Sequence, residues 1–209
     1  TPADYKGLKM RMPGLGGRTI EKLGATPVLL AGPDVLPSLA SGAVDAAEWI
    51  CPAADLGAGL YQAAKYYYGP GWHEPSTLLD LSIDLKAWES LDADTQSLID
   101  DLAKSFNMTV FSRFQAINGP ALQRLVNEHN VQIKTFPDEV LVALCNEACE
   151  VVFERGTNNA ETKSLSNHLL SFRKVIKEWF TKGEQEFSTR FVSNQHLIIS
   201  NSPVEEKLS

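Results

Sequence analysis

Apolar and polar positions follow two regimes along this chain. In residues 1–50 the apolar residues come in short blocks divided by glycine and proline. Residues 8–12 form an extended run closed by Pro13 and Gly14. Residues 18–23 read as a short helix ended by Gly24. A second apolar run covers residues 26–30, bounded by Gly32 and Pro33. Asp34 has the side chain preferred at a helix N-cap and predicts a helix through Ala40, stopped by Gly42. Residues 44–50 form a third run. The order β-α-β-α-β predicts an α/β fold with a parallel sheet and helices packed on it.

Pro52 ends that regime. Small residues dominate the next stretch, Ala53, Ala54, Gly57, Ala58 and Gly59. An aromatic cluster follows at Tyr66, Tyr67 and Tyr68, then a Gly69-Pro70-Gly71 turn and Trp72. Residues 77–83 read as another extended apolar run and residues 86–91 as a short helix. Beyond Asp92 the apolar residues recur every three or four positions. Leu98, Leu102, Phe106, Val110, Phe114 and Ile117 share one face of a long helix. Gly119-Pro120 is expected to kink or break it, since proline lacks the amide hydrogen and crowds the preceding turn. Alternation at Val131, Ile133 and Thr135 predicts a short strand over residues 131–136. Pro137-Asp138 opens a helix through about Arg155, closed by Gly156. Residues 165–191 are again helical, with Leu169, Phe172, Ile176, Trp179, Phe180 and Phe187 as the apolar stripe and Gly183 as an interruption. Residues 202–209 read as a frayed end. No internal repeat is visible.

Composition narrows the partners. The 209 residues are 44% hydrophobic and 22% charged, with a formal net charge of -7. That sign argues against nucleic acid or anionic lipid as the main partner. It leaves room for a small anion, which responds to the local pocket and not to the global sum. No apolar run is long enough to span a membrane. Residues 1–10 have neither the basic start nor the apolar stretch of a signal peptide, so a secreted origin is expected only for a processed or truncated product. Cys51, Cys145 and Cys149 make no disulfide framework. Cys145 and Cys149, four apart on one helix face, are poorly placed for a bridge and read as small buried hydrophobes.

Candidate chemistry gathers at the strand ends. Arg11 stands at the end of the first run, and ligands of open α/β sheets bind outside the carboxyl ends of the strands. Its planar fork suits a carboxylate. A surface arginine whose stem lies along the sheet is the competing reading. Gly14-Leu15-Gly16-Gly17 lies between strand and helix, but Thr19 stands at the third glycine of a dinucleotide fingerprint and no Gly-Lys-Ser/Thr follows. It reads as a tight strand-to-helix turn. Glu48 and Trp49 end the third run at the same sheet edge as Arg11. Glu48 offers oxygen to a hard cation, or an ion pair to a neighbour such as Arg11. Trp49 offers a rigid apolar wall, or plain core packing. His73 and Glu74 are adjacent, with no third ligand in view for a metal. His129 and His168 read as solvated residues on helix ends. No serine, cysteine or histidine stands in a recognisable nucleophile motif.

Several blocks of the chain resemble one family. Gly7-Leu8-Lys9-Met10-Arg11-Met12-Pro13-Gly14 is similar to the first strand and turn of the periplasmic solute-binding proteins of TRAP (tripartite ATP-independent periplasmic) transporters, the DctP family. Leu23-Gly24-Ala25-Thr26-Pro27-Val28 resembles its second-strand entry. Leu39-Ala40-Ser41-Gly42-Ala43-Val44-Asp45-Ala46 resembles the block leading into its Glu-Trp pair, here Glu48-Trp49. Tyr66-Tyr67-Tyr68-Gly69-Pro70-Gly71-Trp72-His73-Glu74-Pro75 resembles its aromatic stretch, and Phe172-Arg173 with Trp179 its C-terminal helix. The blocks occur in order over nearly the whole chain. The sequence departs at Cys51-Pro52-Ala53-Ala54, where the family more often has glycine and tyrosine.

The resemblance implies a type II periplasmic-binding-protein lobe with a parallel-type sheet, followed by long C-terminal helices. It implies that Arg11 clamps a ligand carboxylate, and that Glu48, Trp49 and Trp72 line the site. The Glu-Trp pair resembles the subgroup that binds 2-oxo acids and related monocarboxylates, in which Glu48 and the Trp49 backbone would hold a sodium or calcium ion touching the ligand. No organic cofactor is implied. The resemblance further implies a C-terminal fragment lacking most of the N-terminal lobe. Residues 1–50 and 77–165 would form the more complete α/β lobe, and residues 51–76 and 166–209 the remnant of the second lobe with the C-terminal helices. The expected partners are a small carboxylate, the TRAP membrane permease and a second copy of the chain, in the periplasm. Two other functions compete: an assembly domain that binds no ligand, and an oxo-acid enzyme with Glu48 as general base, which lacks a paired acid or cofactor motif.

Overall fold

The computed structural model describes residues 1–74, 77 and 79–192. Two compact units emerge, Thr1–Val151 and Val152–Ser209. The first opens with a 3-10 turn, Pro2–Tyr5, and continues as β1 (Lys9–Arg11), α1 (Gly14–Lys22), β2 (Thr26–Val28), α2 (Gly32–Ser41) and β3 (Ala46–Ala47). The three strands form a parallel sheet in the order β2-β1-β3, as the alternating pattern of residues 1–50 predicts. β1 is central. The chain crosses to one side for β2 and returns past β1 for β3, so its direction of winding reverses between β1 and β3.

Two boundaries differ from expectation. α1 starts at Gly14, four residues ahead of the helix predicted at 18, because the glycines read as a turn form its first turn. A Cβ on Gly17 would lie 2.5 Å from the Met12 carbonyl oxygen and 3.3 Å from Pro27 Cβ. Glycine therefore lets α1 sit directly on the strand layer. α2 starts at Gly32 with Ala31 as N-cap, and Asp34 lies in the first turn without capping it. Pro33 is what suits this start, since a first-turn amide has no intrahelical partner to lose. The expected stop holds: Gly42 adopts φ 73° and its amide closes on the Leu39 carbonyl.

The core of this region joins Tyr5, Met12, Ile20, Ala25, Val140 and Leu144. Val140 and Leu144 come from α6 (Asp138–Gly156), which therefore packs over α1 and β1. Burying one such aliphatic side chain stabilises the fold by roughly 1.5–3 kcal/mol. Trp72 and Phe136 pack against this cluster from outside.

A second parallel sheet pairs β4 (Tyr66–Gly69) with β5 (Gln132–Thr135) and joins the middle of the chain to its later part. Among the described residues of 77–83 no strand forms. α3 (Pro52–Gly57) follows the first sheet, and α4 (Leu85–Glu89) precedes the long α5 (Ala93–Asn127). Asp92 caps α5 by accepting from the Thr95 amide at 2.8 Å. Gly119-Pro120 does not break it: the helix runs unbroken over 35 residues. Packing outweighs the lost hydrogen bond there, because Ala121 and Leu125 are buried and Asn118 Oδ1 accepts from the Ala53 amide of α3 at 3.1 Å. The apolar stripe of α5 is nevertheless open, with Leu98 58% and Phe106 62% exposed.

The second unit consists of the end of α6, then α7 (Ala160–Phe180), which starts from a capping box between Asn159 and Thr162. Past α7 the chain continues in wider π-helical turns, Thr181–Gln185 and Phe187–Val192, so the helix passes through Gly183 without ending there. The expected frayed end at 202–209 lies outside the described residues.

Cys145 and Cys149 are exposed on α6, not buried as their type suggests, because that face of the helix lies away from the core cluster; Cys51 is half-buried.

Candidate functional site

Local pairing brings the site together. Arg11 ends β1 opposite Ala47 of β3, and the next amide, Glu48 N–H, donates to the Arg11 carbonyl at 2.9 Å. One residue type at a strand end is thus locked beside another, at the point where the winding of the sheet reverses. Open α/β sheets carry their ligands at this kind of crevice. Lys9 and Asp45 brace the other end of the pairing, each amide bonded to the other residue.

Arg11 is only 9% exposed. Its Nη1 donates to Glu48 Oε2 at 2.6 Å and to the Glu48 carbonyl at 2.8 Å, and Nε points at the Leu30 carbonyl at 3.5 Å. The guanidinium carbon lies 5.0 Å from the centre of the Trp49 ring, a cation–π distance. Trp49 can occupy this place because α2 begins with glycine: a Cβ on Gly32 would stand 2.8 Å from the ring edge. Of the two readings left open for Glu48, the ion pair with Arg11 is present.

A third residue reaches Glu48 from across the sequence. His73 Nε2 is 3.5 Å from Glu48 Oε1, and its Nδ1 is buried with no hydrogen-bond partner among the described residues. Glu48, His73 and Glu74 each bring a ligand-type atom within 4.8 Å of the others. The third ligand-type side chain beside the His73-Glu74 pair is Glu48, which adjacency in sequence could not reveal. Trp72 joins only indirectly, edge-on to His73 at 5.2 Å and packed on the core cluster.

Beneath this group lies a pair that residue types alone did not single out. Asp55 of α3 is 7% exposed and accepts from Tyr67 Oη of β4 at 2.5 Å and from the Ile50 amide at 3.2 Å. Burial pushes the Asp55 carboxyl above the usual carboxylate range, against the lowering effect of these hydrogen bonds. Burial, with the bond to Asp55, pushes the Tyr67 hydroxyl upward too. Asp55 thereby ties the segment just after Trp49 to the second sheet. The available signal was a lone acid in the Ala/Gly-rich stretch 53–59. The two histidines read as solvated divide: His168 is exposed on α7, whereas His129 is half-buried and stacks on Tyr61 with ring centres 3.7 Å apart.

As a donor set, the cluster suits a hard cation in kind. Two carboxylates supply oxygen, and the imidazole is the softer third donor. It falls short in number, since calcium takes about six to eight oxygens; the remainder would come from ligand, main chain or water.

The family model described as bacterial extracellular solute-binding protein, family 7 (DctP) matches residues 1–159. A monocarboxylate 2-oxoacid-binding periplasmic protein of Nostoc sp. is 34% identical over 193 residues, covering 92% of this chain and 53% of that protein. A TRAP periplasmic solute-binding protein of Colwellia psychrerythraea, solved with calcium and pyruvate, superimposes with a TM-score of 0.85 at 31% identity, over 91% of this chain and 58% of that one. Its counterpart from Pseudoalteromonas atlantica, solved with sodium and pyruvate, gives a TM-score of 0.85 at 33% identity over the same shares. The chain thus spans little more than half the length of these relatives.

Proposed function

The chain belongs to the bacterial extracellular solute-binding protein family 7, and on that footing we propose that it binds a small carboxylate and passes it to a membrane permease. The ligand class is a 2-oxo acid or related hydroxy acid, the place the periplasm, and the role binding and not catalysis. One observation carries the reading: a buried arginine, a glutamate and a tryptophan ring meet at the winding reversal of a parallel sheet.

Each residue has a physical task in it. Arg11 offers a charge-assisted contact to the ligand carboxylate, worth roughly 1.5–3 kcal/mol. Trp49 holds the guanidinium plane and walls off water, and Trp72 supports His73. Glu48 and the Trp49 main chain, with Glu74 beside them, would hold a sodium or calcium ion. Such an ion supplies positive charge that the ligand oxygens share. His73, 3.5 Å from Glu48, orients that carboxylate. The open stripe of α5 supports a second copy of the chain as a further partner.

The test is a titration of pyruvate into isotope-labelled protein, with and without calcium, followed by nuclear magnetic resonance. Binding should move the Arg11 and Trp49 signals and vanish in Arg11→Ala. Because the arginine contact alone does not offset the roughly 4 kcal/mol or more lost in immobilising a ligand, this chain alone should bind in the millimolar range or more weakly. No response at any calcium concentration refutes the reading.

A further inference from the structure

The contact between Arg11 and Glu48 has the chemistry of the contact a ligand would make. A carboxylate, Glu48 Oε2, accepts from Nη1 at 2.6 Å, and the carbonyl of the same residue accepts from Nη1 at 2.8 Å. Nη1 has two hydrogens, so Glu48 takes both. A two-pronged grip on an incoming carboxylate needs donors on two nitrogens of the fork. Among the described residues Nη2 has no hydrogen-bond partner, but Nη1 is fully engaged and Nε is directed at the Leu30 carbonyl at 3.5 Å, so each pair of adjacent nitrogens has one member already turned to a protein oxygen. An arriving anion would also meet the negative charge of Glu48 at a site where both side chains are 11% exposed and screening is weak.

From this we propose that Glu48 acts as an internal stand-in for the ligand carboxylate on Arg11, and that a cation captured by Glu48 frees the arginine fork. The inference rests on the proposed function and adds an order of events to it: cation first, carboxylate second. The two contacts of Glu48 make the exchange workable. The carbonyl contact belongs to the backbone, which strand pairing fixes through the bond from Glu48 N–H to the Arg11 carbonyl. It keeps the guanidinium in place, as does the Trp49 ring at 5.0 Å. Only the side-chain contact is free to leave. The Glu48 carboxylate already faces His73 and the Glu74 carboxylate on its other side, within the same 4.8 Å cluster, so a cation there needs a rotation of Glu48 and no change of fold.

Charge makes the two steps cooperative. The Arg11–Glu48 pair is neutral, and a monocarboxylate added to it leaves a buried net negative charge. A monovalent cation restores neutrality. By linkage, whatever factor the cation adds to carboxylate affinity the carboxylate adds to cation affinity. Glu48→Gln separates the two effects. The near-isosteric amide is a weaker cation ligand, yet it also removes the competing negative charge.

The experiment follows the Arg11 side-chain nitrogen signals and titrates calcium, then pyruvate, into the wild-type chain and Glu48→Gln. Calcium alone should shift the wild-type Arg11 signals away from their metal-free positions, and those of Glu48→Gln by much less. Without metal, pyruvate should bind Glu48→Gln about ten-fold more tightly than wild type, within the usual range of such couplings. Calcium should strengthen pyruvate binding by a similar factor in wild type and by little in the variant. The proposal is overturned if calcium fails to bind, or binds without moving Arg11. It is also overturned if pyruvate binds the wild-type chain and metal-free Glu48→Gln binds it no better. If calcium frees Arg11 and pyruvate binds neither protein under any condition, the stand-in holds and the carboxylate-binding function fails.

Discussion

Arg11 and Glu48 are 37 residues apart in sequence and meet at 2.6 Å. Two crossovers lie between them, and β3 returns to pair with β1 on the side opposite β2. The ion pair is therefore a product of strand order. It is buried on both sides, so its two halves should respond unequally to mutation. Arg11→Ala leaves a buried carboxylate without its cation and should cost about 3 kcal/mol. Glu48→Gln keeps an acceptor for Nη1 and should cost about 1 kcal/mol. Chemical denaturation of both variants checks this, and equal losses would show that the pair is not buried as described.

Asp55 should make stability depend on pH in a direction opposite to that of an ordinary paired carboxylate. Its carboxyl is raised by burial above the unfolded value near 3.8. The folded state therefore binds the proton more tightly, and this contribution is full below the unfolded value and is lost as pH rises through the folded one. Asp55→Asn keeps an acceptor for the Ile50 amide and removes the buried charge. Its stability relative to wild type should grow as pH rises from that window toward neutrality. Thermal melts across pH test it, and a gap constant with pH would contradict the assignment.

Gly17 should tolerate no side chain. A methyl there would press on the Met12 carbonyl at 2.5 Å, a backbone atom that cannot step aside. Gly17→Ala should destabilise by about 1–3 kcal/mol despite alanine's better helix propensity. A gain in melting temperature would mean that α1 does not sit on β1 as closely as described.

Association is expected through α5. Leu98, Leu102 and Phe106 are all more than half exposed on one face of the helix. An open apolar stripe of this size is rare on a monomer in isolation. Light scattering should show a concentration-dependent dimer, and Phe106→Glu should shift it to monomer. Unchanged mass in that variant would place the contact elsewhere.

Much of this was legible in residue order. Local signals act within a few residues, so the β-α-β-α-β pattern, the Gly42 stop and the helical period beyond Asp92 could be read directly. Strand-end placement likewise put Arg11 and Glu48-Trp49 at one edge. What periodicity could not convey was which apolar face finds a neighbour: the α5 stripe reads like a core face, yet it is open, and Cys145 and Cys149 are exposed. Nor could a propensity for breaking helices outweigh the burial of Ala121 and Leu125, which carries α5 through Pro120. The third member of the Glu48-His73-Glu74 cluster and the Asp55–Tyr67 pair required tertiary structure outright. Their members are separated by crossovers and turns, and only strand order and helix packing decide which distant polar groups come within hydrogen-bond reach.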